Sequence, residues 1–259
     1  MQYRYFIHLA YNGSNYAGWQ VQPNAVTVQE LLESGMKHLA KIDSVTGCGR
    51  TDTGVHASDF YAHFDSEKKM PEHDLEKLTD KLNRFLPEDI KIFSIKPVVP
   101  DAHARFSAIS REYRYLIIRE KDPFLFENAY FLHGDLNVEA RNQCAALLVG
   151  KHDFECFSKV KTEVSNFMCN VREARFSENG HVIEFTISAD RFLRNMARAV
   201  VGTLLDVGKG KMDAGGFAGV LESRNRCKAG YSVPAKGLTL TKVEYDAKIF
   251  VEEPMGFLK

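Results

Sequence analysis

The chain is 259 residues long, 44% hydrophobic and 26% charged, and its 34 basic and 34 acidic residues cancel. That length builds one large domain or two smaller ones around a sizeable core. The charge balance excludes a global cationic field as the means of finding nucleic acid, and apolar runs such as AALLV at 145–149 fall far short of the roughly 20 residues a membrane span takes.

In chain order, Tyr3, Tyr5, Ile7 and Leu9 alternate along residues 3–10, which predicts a half-buried first strand and not a signal peptide. TVQE at 27–30 is a capping box that opens a helix running toward Ile42. Residues 47–58, GCGRTDTGVHAS, read as a loop in which Gly47, Gly49 and Gly54 allow backbone conformations other residues avoid, so that Arg50 and Asp52 are presented into a cleft. DFYAHF at 59–64 is the next predicted strand. A helix with Leu75, Leu78, Leu82 and Phe85 on one face follows, then a strand at 90–95, and Pro97 and Pro100 punctuate what comes after. From Arg105 a second unit repeats the theme, with a strand at 111–118, a helix from about Val138 to Leu148 and a hairpin turning at SENG (177–180). A helix from Arg191, a shorter one at 213–222 and a last strand LTLTKVEY complete it. The order fits the α+β class, as two similar α/β halves (1–104 and 105–259) with mostly antiparallel sheets and flanking helices around a central cleft.

Local charge says more than the total. Residues 103–119 hold Arg105, Arg111, Arg114 and Arg119 against a single acid, Glu112. In the helix from Arg191, Asp190 is the expected N-cap and Gly208 the expected C′ stop, giving about five turns. At 100° per residue Arg191, Arg194 and Arg198 fall within roughly 60°, opposite Phe192, Met196, Val200 and Leu204. Such a face is either merely solvated or a clamp for phosphate or carboxylate; arginine in all three places favours the clamp, because its planar fork suits paired oxygens. Asp52 on its loop is a base, a nucleophile, a metal ligand or a turn residue, and the spacing of Asp52, His56 and Asp59 matches no metal motif. Five widely spaced cysteines without a C-x-x-C pair argue against disulfides and zinc, and for a reducing, cytoplasmic compartment.

GRTDTGVHA at 49–57 resembles the signature of the TruA-type tRNA pseudouridine synthases. Six further blocks recur in family order: YNGSNYAGWQVQPNAVTVQELLE (11–33), HARFSA (103–108), REYRY (111–115), LLVGKHDFECF (147–157), RNMARAVVGTLLDVG (194–208) and PAKGLTLTKVEY (234–245). The resemblance covers essentially the whole chain. It implies the pseudouridine synthase fold and an isomerase that breaks the N1–C1′ bond of a uridine, turns the base and rejoins it through C5. The implied targets are positions 38–40 in the anticodon arm of tRNA, with no metal or cofactor. Carried over by position, it implies Asp52 as the catalytic residue, Tyr113 against the target base, Arg198 paired with the aspartate and Arg50 beside the flipped nucleotide. It also implies a homodimer with one tRNA reaching across both subunits.

The chemistry of the residues agrees. A uridine inside a stem exposes neither C1′ nor C6, so it must be extruded, stacked on an aromatic and held by cations along its backbone. Tyr113 supplies the ring. Arg198 is expected to keep Asp52 ionised in a closed pocket, and Arg191 and Arg194 to lie along the groove toward phosphates, while Arg105 and Arg111 either touch phosphate or brace the cleft. His56 is expected to anchor the loop, Trp19 to pack, Tyr115 to be a second wall or core, and Cys48 to be an exposed thiol beside the site. Two rival readings are a synthase acting on another tRNA position or on ribosomal RNA, and a non-catalytic RNA-binding module; the second has no need of Asp52, Tyr113 and Arg198 together.

Overall fold

A computed structural model of the chain describes residues 2–134, 137–160 and 164–251. Strand β1, Tyr3–Tyr11, buries Tyr5, Ile7, Leu9 and Tyr11 on one face, and Phe6 is buried on the other. Helix α1, Val28–Ala40, starts as the capping box predicts: the Thr27 hydroxyl accepts the Glu30 N–H at 3.3 Å. Lys41 ends it in the left-handed conformation, one residue before Ile42, with Val28, Leu32 and Met36 buried.

The short β2, Thr46–Gly47, pairs with β3, His56–Ser66, so the loop carrying Asp52 is the connection of a hairpin. Helix α2, Glu72–Phe85, buries Leu75, Leu78 and Leu82, but Phe85 turns outward and stacks on His38 of α1 at 5.7 Å. Strand β4, Ile90–Val98, runs through Pro97, which is tolerated because β4 lies at the edge of the sheet.

The second half places β5 at Ala108–Ile118, β6 at Tyr130–Phe131 and α3 at Val138–Ala146. Then come β7 (Gly150–Asp153), β8 (Met168–Asn179), β9 (Val182–Ala189), α4 (Met196–Gly208), α5 (Ala214–Glu222) and β10 (Leu238–Tyr245).

One sheet joins everything, in the order β4-β1-β3-β10-β5-β9-β8-β7, with β2 on β3 and β6 on β5. It is mixed but mostly antiparallel. The parallel pairs are β5 with β6 and, at the centre, β3 with β10, where only Thr239 faces His56 and Leu240 faces Ala57. Two apolar cores lie along this sheet. One is built by β1, β3, β4, α1 and α2, the other by β5, β8, β9 and α3 to α5, and β10 feeds Leu240 and Val243 to the first and Leu238 to the second. The α+β class with mostly antiparallel strands therefore stands. No helix among the described residues is long and apolar enough to cross a membrane.

The predicted five-turn helix from Arg191 is shorter. Asn195 sits at φ 67°, in the left-handed region, and α4 begins at Met196. The Asp190 carboxylate, expected to cap the helix, instead accepts the N–H groups of Asn170 and Arg191 and ties the end of β9 to β8. At the other end Gly208 is the last helical residue and Lys209, at φ −90°, follows it.

Candidate active site

The loop after β2 is pinned from below by the segment between β1 and α1. Trp19 donates its N–H to the Thr51 carbonyl at 3.3 Å and Gly54 donates to the Tyr16 carbonyl at 3.3 Å. Inside the loop Val55 donates to the Asp52 carbonyl at 3.1 Å, and the buried Thr51 hydroxyl bonds the Tyr11 phenol at 2.9 Å. The two segments lie so close that a Cβ on Gly18, whose φ is +88°, would stand 2.3 Å from the Thr51 oxygen.

Of the three glycines expected to free the loop, only Gly54 has a positive φ, +76°. Gly47 serves a different need: a Cβ there would meet the Trp19 indole at 2.5 Å, whereas one on Gly49 would meet nothing. Trp19, nearly fully buried against Tyr11 and Phe60, is packing, as expected.

His56 closes the loop as the anchor that the sequence predicts. Its Nδ1 accepts the Gly13 N–H at 3.0 Å and its Nε2 donates to the Lys236 carbonyl at 3.0 Å. One nitrogen accepting and the other donating fits the neutral ring. Burial pushes its pKa below the ordinary 6.5, against the pull of the Lys236 carbonyl.

Asp52 thus emerges from a fixed backbone with its side chain 27% exposed. Two guanidinium groups approach it. Arg198 Nη1 stands 3.5 Å from one carboxylate oxygen and Arg194 Nε 3.8 Å from the other. These are charge contacts longer than hydrogen bonds. Among the described residues Asp52 has no hydrogen bond to its carboxylate, so its lone pairs are open to a bound molecule.

The two arginines reach the acid differently from the predicted stripe. Arg198 lies in the first turn of α4, and its Nε donates to the Val233 carbonyl at 2.8 Å. Arg194 precedes the left-handed Asn195, off the helix, with its side chain 57% exposed. Asn195 in turn donates to the Ser232 hydroxyl at 2.7 Å. Arg191 is also outside α4, so the three arginines share no helical face; the arc of 60° fails because one residue, Asn195, reverses the chain.

Tyr113 comes from β5, opposite Leu240 of β10 and Ile187 of β9. It packs against both apolar cores and meets Phe192 edge-on at 4.9 Å. Burial pushes its pKa up, and the nearby Cys48 and Asp52 add to the rise against the pull of Arg111. Phe192, expected in the core of a helix, is thus a wall beside Tyr113. Tyr115, two residues on, is fully buried and donates to the Pro234 carbonyl at 2.8 Å, which makes it core.

Arg111 spends its terminal nitrogens on carbonyls. It donates to Asp190 at 2.9 Å, to Cys48 at 3.0 Å, to Ala108 at 3.4 Å and to Arg105. That is the bracing role of the two expected for it. Arg105 carries its guanidinium among others of its kind: burial lowers its pKa first, then Arg50, Arg111 and Arg191. Cys48 is not an exposed thiol. It is buried, accepts the Tyr61 N–H at 3.5 Å, and burial pushes it up to about 12. Among the described residues no group of three or more His, Cys, Asp or Glu is placed to hold a metal ion. A hollow of about 450 Å³ is lined by Tyr11, His56, Asp89 and Asn128 among others and does not include Asp52. The acid is instead partly exposed, with Arg194 and Arg198 beside it.

A family model described as tRNA pseudouridine synthase matches residues 144–246. The tRNA pseudouridine synthase A of Parabacteroides distasonis is 49% identical over 96% of this chain and 99% of its own length. That of Bacteroides fragilis is 47% identical over 95% and 98%. A solved archaeal box H/ACA sRNP Nop10-Cbf5 complex is similar over 78% of this chain and 44% of that one, at 13% identity and a TM-score of 0.35, a likeness too remote to bear on function.

Proposed function

This chain belongs to the tRNA pseudouridine synthase A family, a family of isomerases, and on that premise we propose that it converts uridine to pseudouridine at positions 38–40 in the anticodon arm of tRNA, with Asp52 as the reacting carboxylate. The observation that carries the reading is the state of Asp52: a backbone fixed on both sides, two guanidiniums within 4 Å and, among the described residues, no hydrogen bond to use up its oxygens.

In this reading the uridine leaves its stack and enters between Tyr113 and Asp52. Loss of stacking costs a few kcal/mol, which ring contact and phosphate binding offset. Tyr113, wedged against Phe192, holds the base plane. Arg198, fixed through Val233, keeps a positive charge 3.5 Å from the carboxylate. The N1–C1′ bond breaks, the base turns, C5 bonds to C1′, and the C5 proton is lost as N1 gains one, so the product is an isomer with nothing added. Arg50, Arg105 and Arg191 meet phosphates around the cleft, and Arg194 is divided between Asp52 and the backbone of the RNA. Residues 1–104 bring the acid and 105–259 bring the tyrosine and arginines. The setting is the cytoplasm, and the working unit is a homodimer that binds one tRNA across both subunits.

The test is to incubate unmodified tRNA transcripts with the purified protein and map pseudouridine along each. Conversion at 38–40 is the expected result. Conversion confined to another arm, or to ribosomal RNA, would replace this reading with that of a synthase of different target.

A further inference from the structure

Phe106 is 75% exposed, and a lone exposed ring on a flexible loop would need no explanation. This one is not on a flexible loop. The turn 103–107 is closed by the Ser107 N–H on the His103 carbonyl at 2.9 Å and by the His103 N–H on the Ser107 hydroxyl at 2.9 Å. The His103 Nδ1 accepts the N–H groups of Arg105 at 3.1 Å and Phe106 at 3.4 Å. Accepting through Nδ1 fits the neutral ring, and burial and the nearby Arg4 and Arg105 lower its pKa.

The side chains continue the order outward. His63, buried, meets His103 edge-on at 4.6 Å, His103 lies 4.4 Å from the Phe106 ring, and the Arg105 guanidinium stands 5.5 Å over that ring. Arg105 is in turn crowded by Arg50, Arg111 and Arg191. Mutually repelling cations call for a polyanion, and a rigid aromatic face set among them calls for a flat partner. Cationic grooves interleaved with exposed rings are how single-stranded nucleic acid is held.

We propose that Phe106 is a stacking platform for a nucleobase of the bound RNA, a neighbour of the uridine extruded toward Asp52, while Arg105, Arg50 and Arg191 take the phosphates on either side. Extrusion leaves the flanking bases without one stacking partner, and the ring restores it. This rests on the RNA substrate assigned above and adds a second base contact distinct from Tyr113.

The experiment uses the full chain, a tRNA transcript, and the variants Phe106→Ala, Phe106→Trp and Arg105→Ala, with affinity measured across a salt series. Phe106→Ala is expected to weaken binding between about fivefold and a hundredfold, the value of one base stack, with the salt slope and the melting temperature unchanged. Phe106→Trp is expected to retain affinity. Its added emission, read above that of the single buried Trp19, is expected to be quenched by RNA. Arg105→Ala is expected to lower the salt slope by about one. Phe106→Ala binding within about twofold of wild type, or unquenched emission from Phe106→Trp, overturns the platform. If the wild-type chain itself neither binds nor converts tRNA, the functional reading falls and the platform with it; if it does both and only the Phe106 variants fail to respond, the platform alone falls.

Discussion

The loop that carries Asp52 and the segment that carries Arg191, Arg194 and Arg198 meet at one point but are built on opposite plans. The loop is fixed through its backbone, by Trp19, Tyr16, Val55 and His56, so that the Cα of Asp52 is held in place. The arginine segment fixes a turn, at Asn195, and leaves most of its cations at the ends of long side chains, of which only Arg198 is tied down. The difference teaches which component sets geometry. The fold places the backbone under the acid, while Arg194 keeps an exposed side chain.

The sharpest way to break that division is Asp52→Asn, which removes the charge and keeps the shape. Single-turnover isomerisation should fall at least about a hundredfold while tRNA affinity stays within a few-fold. Turnover within tenfold of wild type would return Asp52 to the rank of a turn residue. Next in size, Arg198→Ala should slow the chemical step roughly five- to a hundredfold, as expected for losing a charged contact of about 1–3 kcal/mol, with little change in the salt dependence of binding. Arg194→Ala should cost only a few-fold, because that side chain is 57% exposed and its pairing is screened. Equal effects from the two, measured side by side, would show that anchoring through Val233 is irrelevant.

Gly18→Ala attacks the loop from beneath. With φ at +88° and the Thr51 oxygen 2.3 Å from the new Cβ, the loop must move or the chain lose roughly 2 kcal/mol or more of stability. Thermal denaturation should show a drop of several degrees. An unchanged melting temperature with full activity would mean that the loop is not held as described.

The smallest effect concerns pH. The unfolded chain protonates its His56 near the ordinary 6.5, while the folded chain resists, because burial lowers that pKa. Below 6.5 the unfolded state therefore holds more proton, so stability falls as the pH falls and is fully present above that value. His56→Gln should flatten the fall in melting temperature between pH 7 and 5; an identical slope would remove His56 as the anchor.

Much of this was legible in the sequence because the patterns were local. The capping box at Thr27 is a four-residue signal, and the alternation in β1 and β10 is a property of adjacent residues. His56 and Trp19 were placed correctly, since an anchor and a packing residue were what a glycine-rich loop needs. What escaped was long-range. Periodicity ran the α4 helix back to Arg191 because Phe192 and Met196 keep helical spacing, and no local rule foretold that Asn195 would turn left-handed to bond Ser232, 37 residues on. Cys48 seemed exposed because the loop around it is polar, yet its cover comes from Arg111 and Tyr61. Gly47 looked like a hinge and is a clearance for the Trp19 indole.

The order of strands has a consequence for biosynthesis. β10 follows every other strand in the chain yet sits in the middle of the sheet, between β3 and β5. The bond from His56 to Lys236 spans 180 residues and the bond from Asp59 to Val243 spans 184, so neither forms until that stretch has been made. At about 5–20 residues per second, a ribosome takes about 10–40 s to lay down the intervening chain. For that interval the acid loop is held only from the segment between β1 and α1 and lacks its anchor at Lys236. A nascent chain emerging among dense ribosomal and transfer RNA thus carries no assembled cleft with which to seize them, and the cleft comes together only when the central strand closes the sheet.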